Sequence, residues 1–167
     1  RTRLGLPKTA RIVGYMGRLK TMGMEKGLTT ILDALRKLPD PPLLLAVGGA
    51  AEDITEYQEA AGERGLKEKS IFLERVPQQK LAIYQKACNI LLMPFPNLEH
   101  YAYYMSPLKM FEYMASGRPI IASDLPSIRE ILNERSAVLV PPENASALAR
   151  AMEDLLGDPQ KSDRLAR

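Results

Sequence analysis

The sequence predicts an α/β protein built on a doubly wound parallel sheet of about six strands, with helices on both faces. Three observations carry this reading. Short apolar runs alternate with longer stretches of helical periodicity, as a parallel sheet with crossover helices requires. Most of the runs are apolar on consecutive rather than alternate residues, so both faces of each strand need cover. The 167 residues suffice for one domain with a sizeable core, and 46% hydrophobic with 26% charged residues argues against disorder or fibre.

The elements follow in order along the chain. A first strand is expected at 12–16 and a helix at 23–38, where Leu28, Ile31, Leu32, Leu35 and Leu38 recur at three- and four-residue spacing as one core-facing stripe. Pro39, Pro41 and Pro42 then stop that helix. Strands are expected at 43–47, 70–74, 90–93, 119–122 and 138–140, and helices at 53–65, 77–87, 107–116, 126–132 and 145–156. In the helix at 107–116, Ser106 reads as the N-cap and Pro107 as the first helical residue, with Leu108, Phe111 and Ala115 on the core side. The final GDPQKSDRLAR opens like one more helix. There is no internal repeat, low-complexity segment or linker.

Charge and cysteine content narrow the function. Lys and Arg number 23 against 20 Asp and Glu, a net +3 with both signs interspersed, which does not call for nucleic acid. Basic residues near the two ends, among them Arg3, Lys8, Arg11, Lys161 and Arg164, read as solvated surface, with peripheral attraction to an anionic membrane as the alternative. The one cysteine, Cys88, leaves no internal disulfide, fits a reducing, cytoplasmic setting and reads as a core thiol. No apolar run approaches the ~20 residues of a spanning helix, and no signal peptide is present.

Doubly wound sheets take ligands beyond the carboxyl ends of their strands, so the loops at 17–24, 48–53, 75–78, 94–105, 123–125 and 141–144 are the candidate site. Walker A, G-x-S-x-G, H-E-x-x-H and C-x-x-C patterns are all missing. The first turn after Ser106 and Pro107 offers free amides to the long loop before it; this is a phosphate cradle or an ordinary capped helix. Lys109 and Glu112, three apart on that helix, are a surface ion pair, or Glu112 accepts from the hydroxyls of a ribose. Arg18, after Gly17, and Lys26, beside Gly27 in the next helix's first turns, are two solvated charges or a diphosphate clamp. His100, the only histidine, reads as loop surface.

The motifs "GYMGRLKTMGMEKGLTTILDAL", "LLLAVGGA", "IFLERVPQQKLAIYQKACNILLMPFP" and "SPLKMFEYMASGRPIIASDLPSIREIL" occur in the order of the family 4 retaining glycosyltransferases. The chain resembles the carboxyl-terminal, donor-binding domain of that family, a Rossmann-like half of a GT-B fold, from about Leu4 to Asp158. The resemblance implies a nucleoside diphosphate sugar, a UDP- or GDP-sugar, as donor substrate, with no metal or other cofactor. It implies that Arg18 and Lys26 hold the diphosphate and stabilise the leaving group. Glu112 matches the second Glu of the family's E-x7-E motif and binds the ribose. The amides around Pro107 and Leu108 correspond to those that meet the phosphates, Val76 with Pro77 falls where the nucleobase rests, and Gly17, Ser106 and Lys109 count among the nucleotide-binding positions.

The chain departs from the pattern twice. Seven residues, 19–25, separate Arg18 from Lys26, a longer loop than the family often has, so Lys20 is an alternative cation. The position of the first Glu, eight before Glu112, is Tyr104. Glu99, in a tyrosine-rich loop, is the nearest replacement donor-sugar contact, or else a solvated acid. The resemblance further implies an excised domain lacking its N-terminal acceptor half, inactive alone. Competing expectations are a nucleotide-sugar epimerase or hydrolase domain of the same fold, a non-catalytic nucleotide-binding or protein-interaction module, and a NAD-type domain, which lacks its Gly-rich turn.

Overall fold

The computed structural model describes residues 1–105 and 108–167. Six parallel strands, β1 (Ile12–Met16), β4 (Leu43–Gly49), β5 (Ser70–Glu74), β6 (Ile90–Met93), β7 (Ile120–Ser123) and β8 (Val138–Val140), form one sheet in the order β5-β4-β1-β6-β7-β8. The chain runs outward from β1 on one side and then crosses over to β6 on the other. This is the doubly wound order, with its switch point between β1 and β6.

The consecutive apolar runs bury on both faces. Val13, Tyr15, Leu44, Ala46, Ile90 and Leu92 pack on one side, against helices α1 (Leu28–Arg36), α2 (Ala51–Glu63), α6 (Ala145–Gly157) and α7 (Pro159–Leu165). Ile12, Met16, Leu45, Val47, Leu91 and Met93 pack on the other, against α3 (Gln78–Ala87), α4 (Leu108–Ala115) and α5 (Pro126–Arg129). Cys88 is fully buried there, and a Cβ on Gly14 would lie 2.4 Å from its Sγ. Burial pushes the thiol pKa up to about 12.

Four strands have the expected limits, and two differ. β4 runs on to Gly49, and β7 begins at Ile120 rather than Pro119, which has no N–H to donate and serves only through its carbonyl, accepting from Leu91 N at 3.0 Å. Among the helices, α5 is shorter than expected, although Leu132 N still donates to Ile128 O at 2.9 Å. The closing α7 forms with Asp158 as its cap, accepting from Lys161 N, and Pro159 in its first turn. The loop after β6 contains a π-helical turn, His100–Tyr104, whose Tyr101 stacks on Phe95 with ring centroids 5.0 Å apart.

Two helix expectations need correction. The segment expected to open the first helix is a β-hairpin, β2 (Lys20–Thr21) with β3 (Met24–Glu25), and α1 starts only at Leu28. Met22 and Gly23 both have positive φ, 51° and 75°, which is the type I′ geometry that joins two short antiparallel strands. Gly27, at φ 88°, then turns the chain into α1; a Cβ there would lie 1.8 Å from the carbonyl oxygen of Pro94. The apolar stripe of α1 is as expected, with Leu28, Ile31, Leu32 and Leu35 buried and Leu38 packed at its edge.

The second correction is the rotation of α4. Met110 and Tyr113 face the core, while Leu108 is 73% and Phe111 47% exposed and Ala115 lies outside. The helix is apolar on most sides, so hydrophobicity alone does not choose its buried face. The hydroxyl of Tyr113 chooses it, by hydrogen bonds to two strands. Ser106 and Pro107, the expected cap and first residue, lie outside the described residues.

Candidate nucleotide site

β1 and β6 pair only at Val13↔Ile90 and Gly14↔Leu91, so they separate before their carboxyl ends. Tyr113 of α4 enters the gap: its hydroxyl accepts from Met16 N at 2.8 Å and donates to Leu92 O at 3.3 Å. On the opposite side Gly17 N donates to Val47 O at 2.7 Å, and Gly48, at φ 120°, packs against it so closely that a Cβ would lie 2.7 Å from Gly17 O. The ends of β1 and β4 therefore meet backbone to backbone, leaving open space above them.

That space is a cavity of about 520 Å³, and Gly17, Arg18, Gly48, Arg75, Val76 and Pro77 are among its walls. Four residues from separate parts of the chain that were singled out in the sequence, Gly17, Arg18, Val76 and Pro77, thus share one cavity. Arg75 and Gln78 also line it and were not singled out. Their only signal was position, in the loop that follows β5.

The longer loop between Arg18 and Lys26 does not part the two cations. Its residues fold back as the β2–β3 hairpin, with Lys20 opposite Glu25, which returns Lys26 to the neighbourhood of Arg18. Lys26 stands in the segment before α1 rather than within the helix. Partial burial, reinforced by the Arg18 charge, lowers its pKa. Lys20 points elsewhere: its Nζ lies 2.5 Å from Glu56 and 5.7 Å from the Tyr57 ring centroid.

Lys109 and Glu112 do not form the surface ion pair that their spacing allows. Glu112, half-buried, accepts from the side-chain amide of Gln78 and lines a smaller groove that shares Gln78 and Leu81 with the main cavity. The Nζ of Lys109 is buried 3.9 Å from the Tyr15 ring centroid and 5.1 Å from that of Phe95, with no hydrogen-bond partner among the described residues. Burial holds its pKa well below the ordinary lysine value, with Lys26 adding to the effect and Glu112 opposing it. Arg18, Lys26 and Lys109 thus lie near enough to one another for each lysine's pKa to be lowered by a neighbouring cation as well as by burial.

The other candidates stand apart. Glu99 is exposed, does not line the cavity, and among the described residues accepts one side-chain hydrogen bond, from the Tyr104 hydroxyl at 3.5 Å. Leu108 projects outward. Among the described residues no group of three or more His, Cys, Asp or Glu is placed to hold a metal ion, and no helix is long and apolar enough to cross a membrane.

Fold and site together define a doubly wound α/β domain with a cavity at the carboxyl ends of β1, β4 and β5. The chain belongs to the glycosyl transferases group 1 family, whose profile matches residues 1–167. It is 31% identical over 169 residues to a D-inositol 3-phosphate glycosyltransferase of Corynebacterium urealyticum, a match covering 95% of this chain and 38% of the relative. It is 32% identical over 161 residues to a phosphatidyl-myo-inositol mannosyltransferase of Mycolicibacterium smegmatis, covering 93% and 39%. Sucrose-phosphate synthase from Thermosynechococcus elongatus superposes with a TM-score of 0.84 at 29% identity, over 100% of this chain and 41% of that one. The Anabaena protein HepE in complex with UDP superposes with a TM-score of 0.83 over 99% of this chain and 44% of that one, a likeness of fold at 23% identity. The fold is the Rossmann-like half of the GT-B architecture, and the chain spans about two fifths of the relatives it matches.

Proposed function

We propose that this domain binds the nucleoside diphosphate of a sugar donor, and that it serves as the donor half of a retaining glycosyltransferase acting on a glycan, lipid or small-molecule acceptor. The observation that carries the reading is the convergence of Gly17, Arg18, Val76 and Pro77 on one cavity at the carboxyl ends of β1, β4 and β5, with Lys26 brought alongside. Val76 and Pro77 offer an apolar edge to a nucleobase. Glu112 takes the ribose hydroxyls once Gln78 releases it. Arg18 and Lys26 neutralise the charge that grows on the terminal phosphate as the glycosidic bond to it breaks, a stabilisation that needs no metal ion. The coverage of the relatives, 38% and 39%, supports an acceptor half outside this chain.

The sugar end differs from the family pattern. Tyr104 occupies the place of the first Glu and is 72% exposed, and Glu99 lies outside the cavity wall, so neither carboxylate chemistry nor a close contact is in place for the sugar. The part of the donor that this domain grips is the nucleotide. The test is calorimetric titration of the domain with UDP, GDP and ADP and with the matching nucleosides. Tighter binding of one diphosphate than of its nucleoside, with affinity in the range of about 10 μM to 1 mM for half a cleft, supports the reading. Equal affinity for nucleoside and diphosphate throughout rejects it.

A further inference from the structure

Lys109 poses a question that the donor site as described does not answer. An ammonium has three donors and needs acceptors for them. Here the buried Nζ finds two aromatic faces, Tyr15 at 3.9 Å and Phe95 at 5.1 Å, and no hydrogen-bond acceptor among the described residues. Ring faces return part of the lost hydration and no more. Its neighbour one turn on, Glu112, is engaged by Gln78 instead. The nearest like charge, Lys26, makes its position worse. Burying a cation so incompletely compensated is unfavourable, and the arrangement makes physical sense if its acceptor arrives with a ligand.

The geometry also shows where that acceptor enters. A Cβ placed on Gly17 would lie 3.3 Å from both Cε and Nζ of Lys109. Gly17 is a wall of the 520 Å³ cavity. The end of the Lys109 side chain therefore packs against the glycine that walls the cavity, in the space a side chain there would need. A change of rotamer of the flexible lysine stem would present its ammonium to an oxygen packed against Gly17, within the N–H···O range of about 2.7–3.2 Å.

We propose that Lys109 is a third cationic ligand of the donor, its ammonium turning past Gly17 to hold an oxygen of the terminal phosphate. This rests on the donor-site reading and deepens it, by giving the terminal phosphate a contact that neither Arg18 nor Lys26 supplies. The phosphate then meets three cations, one of which is shielded from water by the rings of Tyr15 and Phe95. In that setting the charge developing on the leaving group meets an ammonium with little water to reorganise.

The experiment compares wild type with Lys109→Met, which keeps the length and packing of the stem and removes the charge, and with Lys109→Arg. Each is titrated with UDP, UMP and uridine and with the guanosine series, and each is melted to check that it folds. The expected result is a loss of about tenfold or more in diphosphate affinity for Lys109→Met, with monophosphate and nucleoside affinities within about twofold of wild type. Lys109→Arg retains the fold and recovers part of the diphosphate preference. A purely structural lysine would lower stability, or all affinities together, and leave the ratio of diphosphate to nucleoside binding unchanged; that outcome overturns the proposal. If wild type prefers the diphosphate and Lys109→Met keeps the same preference, the donor site stands and the third ligand falls. A wild type with no preference removes both.

Discussion

The hydroxyl of Tyr113 accepts a hydrogen bond from Met16 N at 2.8 Å and so joins α4 to the last residue of β1 where β1 has lost its partner β6. It also donates to Leu92 O at 3.3 Å. One side chain thereby satisfies backbone groups on two strands that have begun to separate. It also fixes the rotation of the helix that carries Lys109 and Glu112. Tyr113→Phe removes the hydroxyl and leaves a buried N–H without an acceptor, a cost of about 1–3 kcal/mol. The expected outcome is a melting midpoint lower by several degrees, accompanied by weaker diphosphate binding; an unchanged midpoint would show that Met16 N finds another partner.

Gly27 gives a sharper test of the hairpin that brings Lys26 back. With φ at 88° and the Pro94 carbonyl oxygen 1.8 Å from where a Cβ would lie, Gly27→Ala meets both backbone strain and a clash with a strand-end loop. Destabilisation of more than about 2 kcal/mol is expected, measurable by urea unfolding. Gly23→Ala, with nothing within 4 Å of its Cβ, carries the strain without the clash and should cost less.

Much of the sheet could be read from the chain because consecutive apolar residues leave few alternatives to a strand covered on both faces. The hairpin at 20–25 could not, since the helical stripe that begins at Leu28 can be continued backward over it; the two glycines, Gly23 and Gly27, are the contrary signal. The face of α4 was hidden for a different reason. Leu108 with Phe111, and Met110 with Tyr113, both satisfy a three-residue period, and only the hydrogen bonds of the folded Tyr113 separate them. At the site, Gly17, Arg18, Val76 and Pro77 were readable because strand-end loops converge in a doubly wound sheet. The buried ammonium of Lys109 was not, because a lysine in a sequence reads as solvated until the rings around it are seen.

The cations are predicted to contribute unequally. Arg18 lines the cavity, whereas Lys20 is occupied by Glu56, so Arg18→Ala should weaken diphosphate binding at least several-fold and Lys20→Ala should leave it within about twofold, the scale of a surface ion pair. Lys26→Ala should fall between them. Titration of the three variants with one diphosphate and its nucleoside decides the order, and a loss confined to Lys20→Ala would transfer the clamp to the hairpin.

Glu112 must exchange Gln78 for a ribose if it binds the nucleotide. Glu112→Gln removes the charge-assisted bonds, worth about 1.5–3 kcal/mol, so ribonucleotide affinity should drop at least several-fold while the 2′-deoxy analogue loses less. Gln78→Ala frees the carboxylate and should not weaken binding. Equal losses for both nucleotides in Glu112→Gln would assign that residue to the fold rather than to the ribose.

The strongest pH dependence should come from the two perturbed lysines. Burial is the main cause of lowered pKa for both Lys26 and Lys109; Arg18 adds to the first and Lys26 to the second, against an opposing pull from Glu112. Tyr15, the ring beneath Lys109, does not titrate in the same range, because burial raises its pKa well above the usual value. Below the lowered values both lysines are charged whether folded or unfolded, and the folded state bears the full cost of burying them. As pH rises from those values toward the unfolded value of about 10.4, the unfolded chain holds more protons, so these groups make the ligand-free domain more stable. Ligand binding has the opposite sign. A diphosphate favours the charged lysines and raises their pKa, so its binding takes up protons, and affinity falls as pH rises through the ligand-free values. Calorimetry in buffers of different ionisation enthalpy should show proton uptake by wild type as pH rises through the ligand-free lysine values, reduced in Lys109→Met and in Lys26→Met. Diphosphate affinity that stays level across that window, with no proton uptake in any buffer, would mean that the anion does not meet these two ammonium groups.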